Sequence, residues 1–284
     1  MPIILARYSE IGLKSTPVRV RFENRLRDNI ITMLAADRIE ALVTKRDARF
    51  YIESENIDAA ASALKRVFGI SSFSIAEVCS SSIEDICSAA AEYSMGRIKE
   101  GDTFAVKARR EGNHQYTSVD IGREAGSAIF IANESKGVKV NLTNPDVTFY
   151  VEVRNNKAFI FGSSVRCHGG LPIGTQGKVM AEVRSDRDLI SAWLMMKRGC
   201  KVIVKNERQP LLERYDPELK YGGEVSPEVL GVVSGATLSE LEEQPLFKSE
   251  IPAFFPAVGM SDAEVSSLLE SIKEEAAPPA RTGQ

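Results

Sequence analysis

The 284-residue sequence contains no Cys-x-x-Cys and has only four cysteines and two histidines. Cys79, Cys87, Cys167 and Cys200 are irregularly spaced, so neither a zinc site nor a disulfide framework is indicated. Four reduced thiols packed as small hydrophobes is the expectation. Nothing approaches a run of about twenty apolar residues, which argues against a membrane span. The start, Met1-Pro2-Ile3-Ile4-Leu5-Ala6-Arg7-Tyr8, lacks the long apolar stretch and small-residue cleavage site of a signal peptide and reads as a first strand. A cytoplasmic protein without a bound metal is expected.

What is present is ordinary for soluble domains: 43% hydrophobic and 26% charged residues, in a length suited to two or three domains. The net charge of -3 conceals an asymmetry. From Lys205 onward there are 7 Lys and Arg against 15 Asp and Glu, leaving 29 against 24 in residues 1–204. A basic front and an acidic rear place any nucleic acid at the front.

The first eighty residues read as β-α-β-β-α-β, the order of a ferredoxin-like fold with a four-stranded antiparallel sheet. Strands are expected at 3–8, 39–45, 49–54 and 73–78. The first helix, 16–35, carries Phe22, Leu26, Ile30 and Leu34 at four-residue spacing, with Pro17 in its first turn. The second helix, 57–68, ends at Gly69. A second module opens with a helix over 82–99 and a strand over 103–109. The loop 110–116 then leads to a helix that Thr117 or Ser118 can cap. A hairpin follows, 146–154 and 157–162, turning at Asn155-Asn156. Gly169-Gly170-Leu171-Pro172-Ile173-Gly174 marks a boundary. Beyond it, a helix through Trp193 to Arg198, strands at 201–204 and 230–234, and a helical segment from Thr237 suggest a small α/β unit. Residues 276–284 read as a disordered tail.

Lys107, Arg109 and Arg110 end a strand beside a glycine-containing loop with His114 and Tyr116. Cations for phosphates next to rings for bases are the components of an RNA surface. Asn141 and Asn144 add short polar groups at a strand entrance, and Arg19, Arg21 and Arg25 populate the first helix. Such charges also merely solvate strand ends and helix faces, so spacing alone leaves both readings open. Cys200 follows Lys197-Arg198-Gly199 and is either activated by those cations or a buried structural thiol. Cys167-His168 are neighbours, which seldom makes a catalytic pair.

Taken in order, Arg7-Tyr8-Ser9-Glu10-Ile11-Gly12-Leu13-Lys14-Ser15, Lys107-Ala108-Arg109-Arg110-Glu111-Gly112, Val140-Asn141-Leu142-Thr143-Asn144-Pro145-Asp146 and Gly169-Gly170-Leu171-Pro172-Ile173-Gly174-Thr175-Gln176-Gly177-Lys178-Val179 resemble the tRNA 4-thiouridine sulfurtransferase family. The resemblance covers most of residues 1–200. It implies a ferredoxin-like domain (1–80), a THUMP domain (81–168) and a PP-loop-like α/β domain (169–275). It also implies that the first two bind the acceptor region of tRNA, with the THUMP domain holding the 3′ end. Gly170, Gly174 and Gln176 join the RNA-contact candidates through it.

Family enzymes carry a Ser-Gly-Gly-x-Asp-Ser loop whose backbone amides approach the ATP pyrophosphate. The matching stretch here includes Arg184-Ser185-Asp186-Arg187-Asp188. Asp188 aligns with the motif aspartate, but Ser185 and Asp186 replace the glycines, and a carboxylate there has the wrong sign for pyrophosphate. No cysteine follows Cys200, so the resemblance finds no counterpart of the family's sulfur-relay thiols, nor of a rhodanese domain. The expectation is an RNA-binding protein with no catalytic residue and no cofactor, ATP and magnesium entering only if the divergent loop works. Three readings remain. The protein is a tRNA-binding adaptor for a modification enzyme; or it is an active sulfurtransferase that uses a divergent loop or a partner's catalytic domain; or it is a pseudoenzyme whose third domain builds a homodimer or complex.

Overall fold

Alternating burial organises the first of two compact units in the computed structural model, which describes residues 2–222, 227–243 and 251–277. This unit gathers residues 2–6, 49–53 and 73–165. Its strands lie in the order Arg49–Glu53, Ile3–Arg7, Ser72–Ser80, Lys157–Phe161, Val147–Arg154, Thr103–Glu111, Lys139–Val140. Ile4 faces Ile52 and Val78 faces Phe159 in antiparallel register, whereas Val106 faces Phe149 in parallel register. The helices Ile83–Met95 and Ser118–Ala132 cover one face. Ile86, Ala90, Ile121 and Ile129 pack there against Phe104, Phe149, Val151 and Ile160.

The expected strand at 73–78 extends to Ser80 and has a partner on each side, Ile3–Arg7 and Lys157–Phe161. The two front modules therefore share one sheet where separate sheets were expected. An unpaired edge on this nine-residue strand would have exposed a row of backbone donors and acceptors.

The second unit comprises residues 7–48, 54–72 and the described part of the chain from 166. In its long helix, Thr16–Ala36, the expected Phe22, Leu26, Ile30 and Leu34 are buried, together with Glu23 and Met33. The helix Ile57–Lys65 stops short of Phe68, which turns its ring to Trp193 at 5.1 Å. Arg66 is 1% exposed. Its guanidinium pairs with Asp37 and donates to the Arg214 carbonyl at 2.6 Å, while Arg214 reaches Asp37 at 2.8 Å.

A parallel sheet completes this unit, ordered Lys220–Tyr221, Lys201–Val204, Lys178–Ala181, Val229–Val233, Ala253–Phe254. Trp193 and Met196 of the helix Asp186–Lys197 pack with Val202, Tyr215, Leu269 and Ile272. The last helix runs Asp262–Ala276, so Ala276 is helical and buried where a tail was expected. Residues 278–284 of that expected tail lie outside the described residues. Among the described residues no helix is long and apolar enough to cross a membrane.

Candidate nucleic-acid interface

The strand Thr103–Glu111 sends alternate side chains to opposite faces, and this sorts the candidate residues. Phe104, Val106 and Ala108 join the core beneath the helices. Lys107 and Arg109 point the other way and are exposed. Neither forms an ion pair among the described residues. Across the ladder Arg109 stands opposite Glu152, but that carboxylate is engaged by Arg154 Nε at 2.7 Å and lies 3.6 Å from Arg49. Two cations thus remain available to an anionic partner.

Arg110 is exposed on the helix side, and its Nη1 donates to the Gly112 carbonyl at 2.8 Å. The strand outruns its expected end by two residues, so the loop begins only at Gly112, with φ of 104°. His114 Nε2 meets the Asn155 carbonyl at 2.6 Å, pinning the loop to the hairpin turn. The Tyr116 hydroxyl donates to the Ser81 carbonyl. Thr117 caps the next helix in a reciprocal capping box with Asp120. Asn141 is spent locally: Oδ1 accepts the amides of Thr143 and Asn144 (both 3.1 Å), and Nδ2 donates to the Asn144 carbonyl at 2.8 Å. Asn144 is exposed.

One feature escaped the sequence reading. A groove of about 730 Å³ runs between this strand and the helix Ser118–Ala132, lined by Val106, Gly122, Gly126, Phe130, Val140 and Leu142, among others. A Cβ at Gly126 would meet only Val106 Cγ2, at 3.9 Å. Two glycines four residues apart on the face turned to the strand were the available signal.

In the other unit, Arg19 lies 3.9 Å from Glu23, and Arg21 is exposed beside the Phe22 ring. Arg25 packs on the linker, where a Cβ at Gly174 would come within 3.1 Å of its guanidinium. The amides of Gly174, Thr175 and Gln176 all donate to the Gly199 carbonyl, at 2.8, 3.0 and 3.1 Å. Gly170 is buried, and a Cβ there would stand 2.2 Å from the Lys197 carbonyl oxygen. Gly170 is thus a close-packing glycine. The Gln176 side chain remains exposed.

The stretch 184–188 is tied down by its own hydrogen bonds. Lys178–Ala181 is the central strand of the parallel sheet, and the strand order reverses beside it, which is where such sheets open a ligand crevice. Here Ser185 caps the following helix. Asp188 Oδ2 accepts the Ser185 hydroxyl (2.8 Å) and the amides of Ser185 (3.1 Å) and Arg184 (3.2 Å), while Oδ1 accepts the Gly235 amide at 2.8 Å. Arg187 donates to the carbonyls of Ala257 and Met260, each at 2.9 Å, and pairs with Asp262 at 2.7 Å. Arg184 and Asp186 are exposed, the former 2.6 Å from Glu182.

All four thiols are raised above their ordinary value. Burial pushes Cys167 up to about 12 and Cys79 up to about 11. It also raises Cys87 and Cys200, the latter despite Arg198 nearby. Among the described residues no cluster of His, Cys, Asp and Glu could hold a metal ion.

Residues 3–74 match the ThiI ferredoxin-like domain and residues 80–162 the THUMP domain. A probable tRNA sulfurtransferase of Methanobrevibacter smithii is 42% identical over 208 residues, covering 71% of this chain and 52% of that protein. One from Methanocaldococcus jannaschii is 34% identical over 239 residues, covering 77% and 62%. The chain spans about half the length of the first curated relatives it matches. Among solved structures, Pyrococcus horikoshii PH1313 is similar with TM-score 0.81 and 27% identity, over 96% of this chain and 100% of the other. A 4-thiouridine synthetase in complex with RNA and ATP shares the fold, with TM-score 0.75 and 22% identity over 99% and 87%.

Proposed function

We propose, for a chain that belongs to the tRNA 4-thiouridine sulfurtransferase family through its ThiI ferredoxin-like and THUMP domains, that it binds the acceptor region of tRNA in the cytoplasm and transfers no sulfur itself. The observation that carries the binding is the pair Lys107 and Arg109, exposed on one strand face and not ion-paired among the described residues. Phosphate contacts of this kind hold an RNA in register without reading its sequence. The apolar groove between the strand Thr103–Glu111 and the helix Ser118–Ala132 suits a base from an unpaired 3′ end, since RNA recognition favours bases that are already unstacked.

Absence of catalysis is supported by the stretch 184–188, tied down by its own hydrogen bonds, and by four thiols whose burial keeps them protonated. Sulfur transfer needs a thiolate, because the thiolate is the nucleophile. A protein that holds tRNA without modifying it acts as an adaptor, presenting the acceptor region to a modification enzyme. Crosslinking in cells followed by sequencing of the bound RNA tests this. Recovery of tRNA acceptor regions supports the reading, and recovery of no tRNA overturns it.

A further inference from the structure

The sheet face that carries Lys107 and Arg109 also carries an aromatic ring. Parallel register sets Tyr150 beside Lys107 and Glu152 beside Arg109, so these four side chains point to one side. Across the next ladder Tyr150 stands opposite Phe161 in antiparallel register. The two rings stack, with centroids 5.2 Å apart and planes 7° from parallel. Phe161 is buried, whereas Tyr150 is half-buried. Phe161 therefore fixes the plane of the tyrosine ring, and part of the Tyr150 side chain still reaches solvent next to Lys107.

The polar end of this residue is not used by the fold. The hydroxyls of Tyr8, Tyr93, Tyr116, Tyr215 and Tyr221 each take part in a hydrogen bond, but that of Tyr150 makes none among the described residues. The charge around the ring favours an anionic partner. Glu152, the next side chain on this face of the strand, is engaged by Arg154 and Arg49, while Lys107 and Arg109 form no ion pair among the described residues. A ring of fixed plane beside uncommitted cations matches an unpaired nucleotide, whose phosphate meets the cation while its base lies on the ring. The apolar groove is a separate surface, because Val106 and Ala108, which line it, point to the other side of the strand.

We propose that Tyr150 is a stacking residue, which receives an unpaired base of the RNA strand whose phosphates Lys107 and Arg109 hold. The proposal rests on the reading of this face as the tRNA contact and adds where on it a base is received. Stacking of this kind tolerates any base, since every base has a π-face.

The test uses the full chain and a tRNA acceptor stem carrying the fluorescent base 2-aminopurine at each position of its 3′ overhang in turn, because stacking quenches that base. Expected with the wild type is quenching at one overhang position. Tyr150→Leu should lose that quenching and bind about fivefold or more weakly, with an unchanged slope of log K against log salt, since no charge is removed. Tyr150→Phe should keep both the quenching and the affinity. Wild type that binds without quenching any position overturns the stacking role, as does a folded Tyr150→Leu that still quenches. So does a Tyr150→Phe as weak as Tyr150→Leu, or a Tyr150→Leu whose salt slope becomes shallower, which would mean that the ring only props up the cations. Each of these leaves the tRNA reading standing, whereas wild type that binds no RNA overturns both.

Discussion

The imidazole of His114 lies on the ring of Tyr116, with centroids 5.1 Å apart and planes 28° from parallel. Nε2 is held by the Asn155 carbonyl at 2.6 Å, so the ring is a fastener between loop and hairpin turn. His114→Ala removes one hydrogen bond and one ring contact and should cost about 1–2 kcal/mol in urea denaturation. RNA affinity should fall with it, because the loop beside Arg110 loosens. Unchanged stability would return His114 to the role of a solvated loop residue.

The groove supplies a second prediction. At Gly126 a side chain meets little, and glycine inside a helix is less stable than alanine by roughly 0.5–1 kcal/mol. Gly126→Ala should therefore raise the melting temperature slightly. Gly126→Leu should fill the groove and weaken binding of an RNA with a 3′ overhang several-fold, with little effect on a blunt duplex. Equal loss for both RNAs would remove the groove from recognition.

Asp216 gives a pH test. It is 7% exposed, and burial pushes its carboxyl above the usual carboxylate range, partly offset by the Glu218 amide and Lys201. A folded pKa above the unfolded one means the protonated acid favours the folded state. Its contribution is full below the unfolded value of about 3.9 and is lost as pH rises through the folded value. Asp216→Asn should thus stabilise the protein at neutral pH, with the gain vanishing in acid. A variant less stable than wild type at pH 7 would contradict this.

Local pattern made some of this legible and left the rest hidden. Four-residue spacing was enough for Phe22, Leu26, Ile30 and Leu34, because a helix buries one face regardless of what covers it. Pairing has no such local signature, so nothing near Ser72–Ser80 announces two partners. The short strand Lys178–Ala181 had no expected counterpart, since only four residues carry it and two of them close the motif 169–179. Gly170 was read as an RNA contact, and the fold adds a packing demand invisible in the sequence, the Lys197 carbonyl beside it. Asp188 was aligned with the family's motif aspartate, but its bond from the amide of Gly235, 47 residues away, had no signal in the sequence.

The central claim, that exposed cations of the Thr103–Glu111 strand hold tRNA through its phosphates, is tested most directly by fluorescence anisotropy. The probe is a labelled tRNA acceptor stem with its 3′ overhang, titrated at several salt concentrations with wild type and with Lys107→Ser/Arg109→Ser. The account predicts that log K falls linearly with log salt, and that the double variant binds more weakly with a slope shallower by about 2. Undetectable or salt-independent binding by the wild type, or an unchanged slope in a folded double variant, would contradict it.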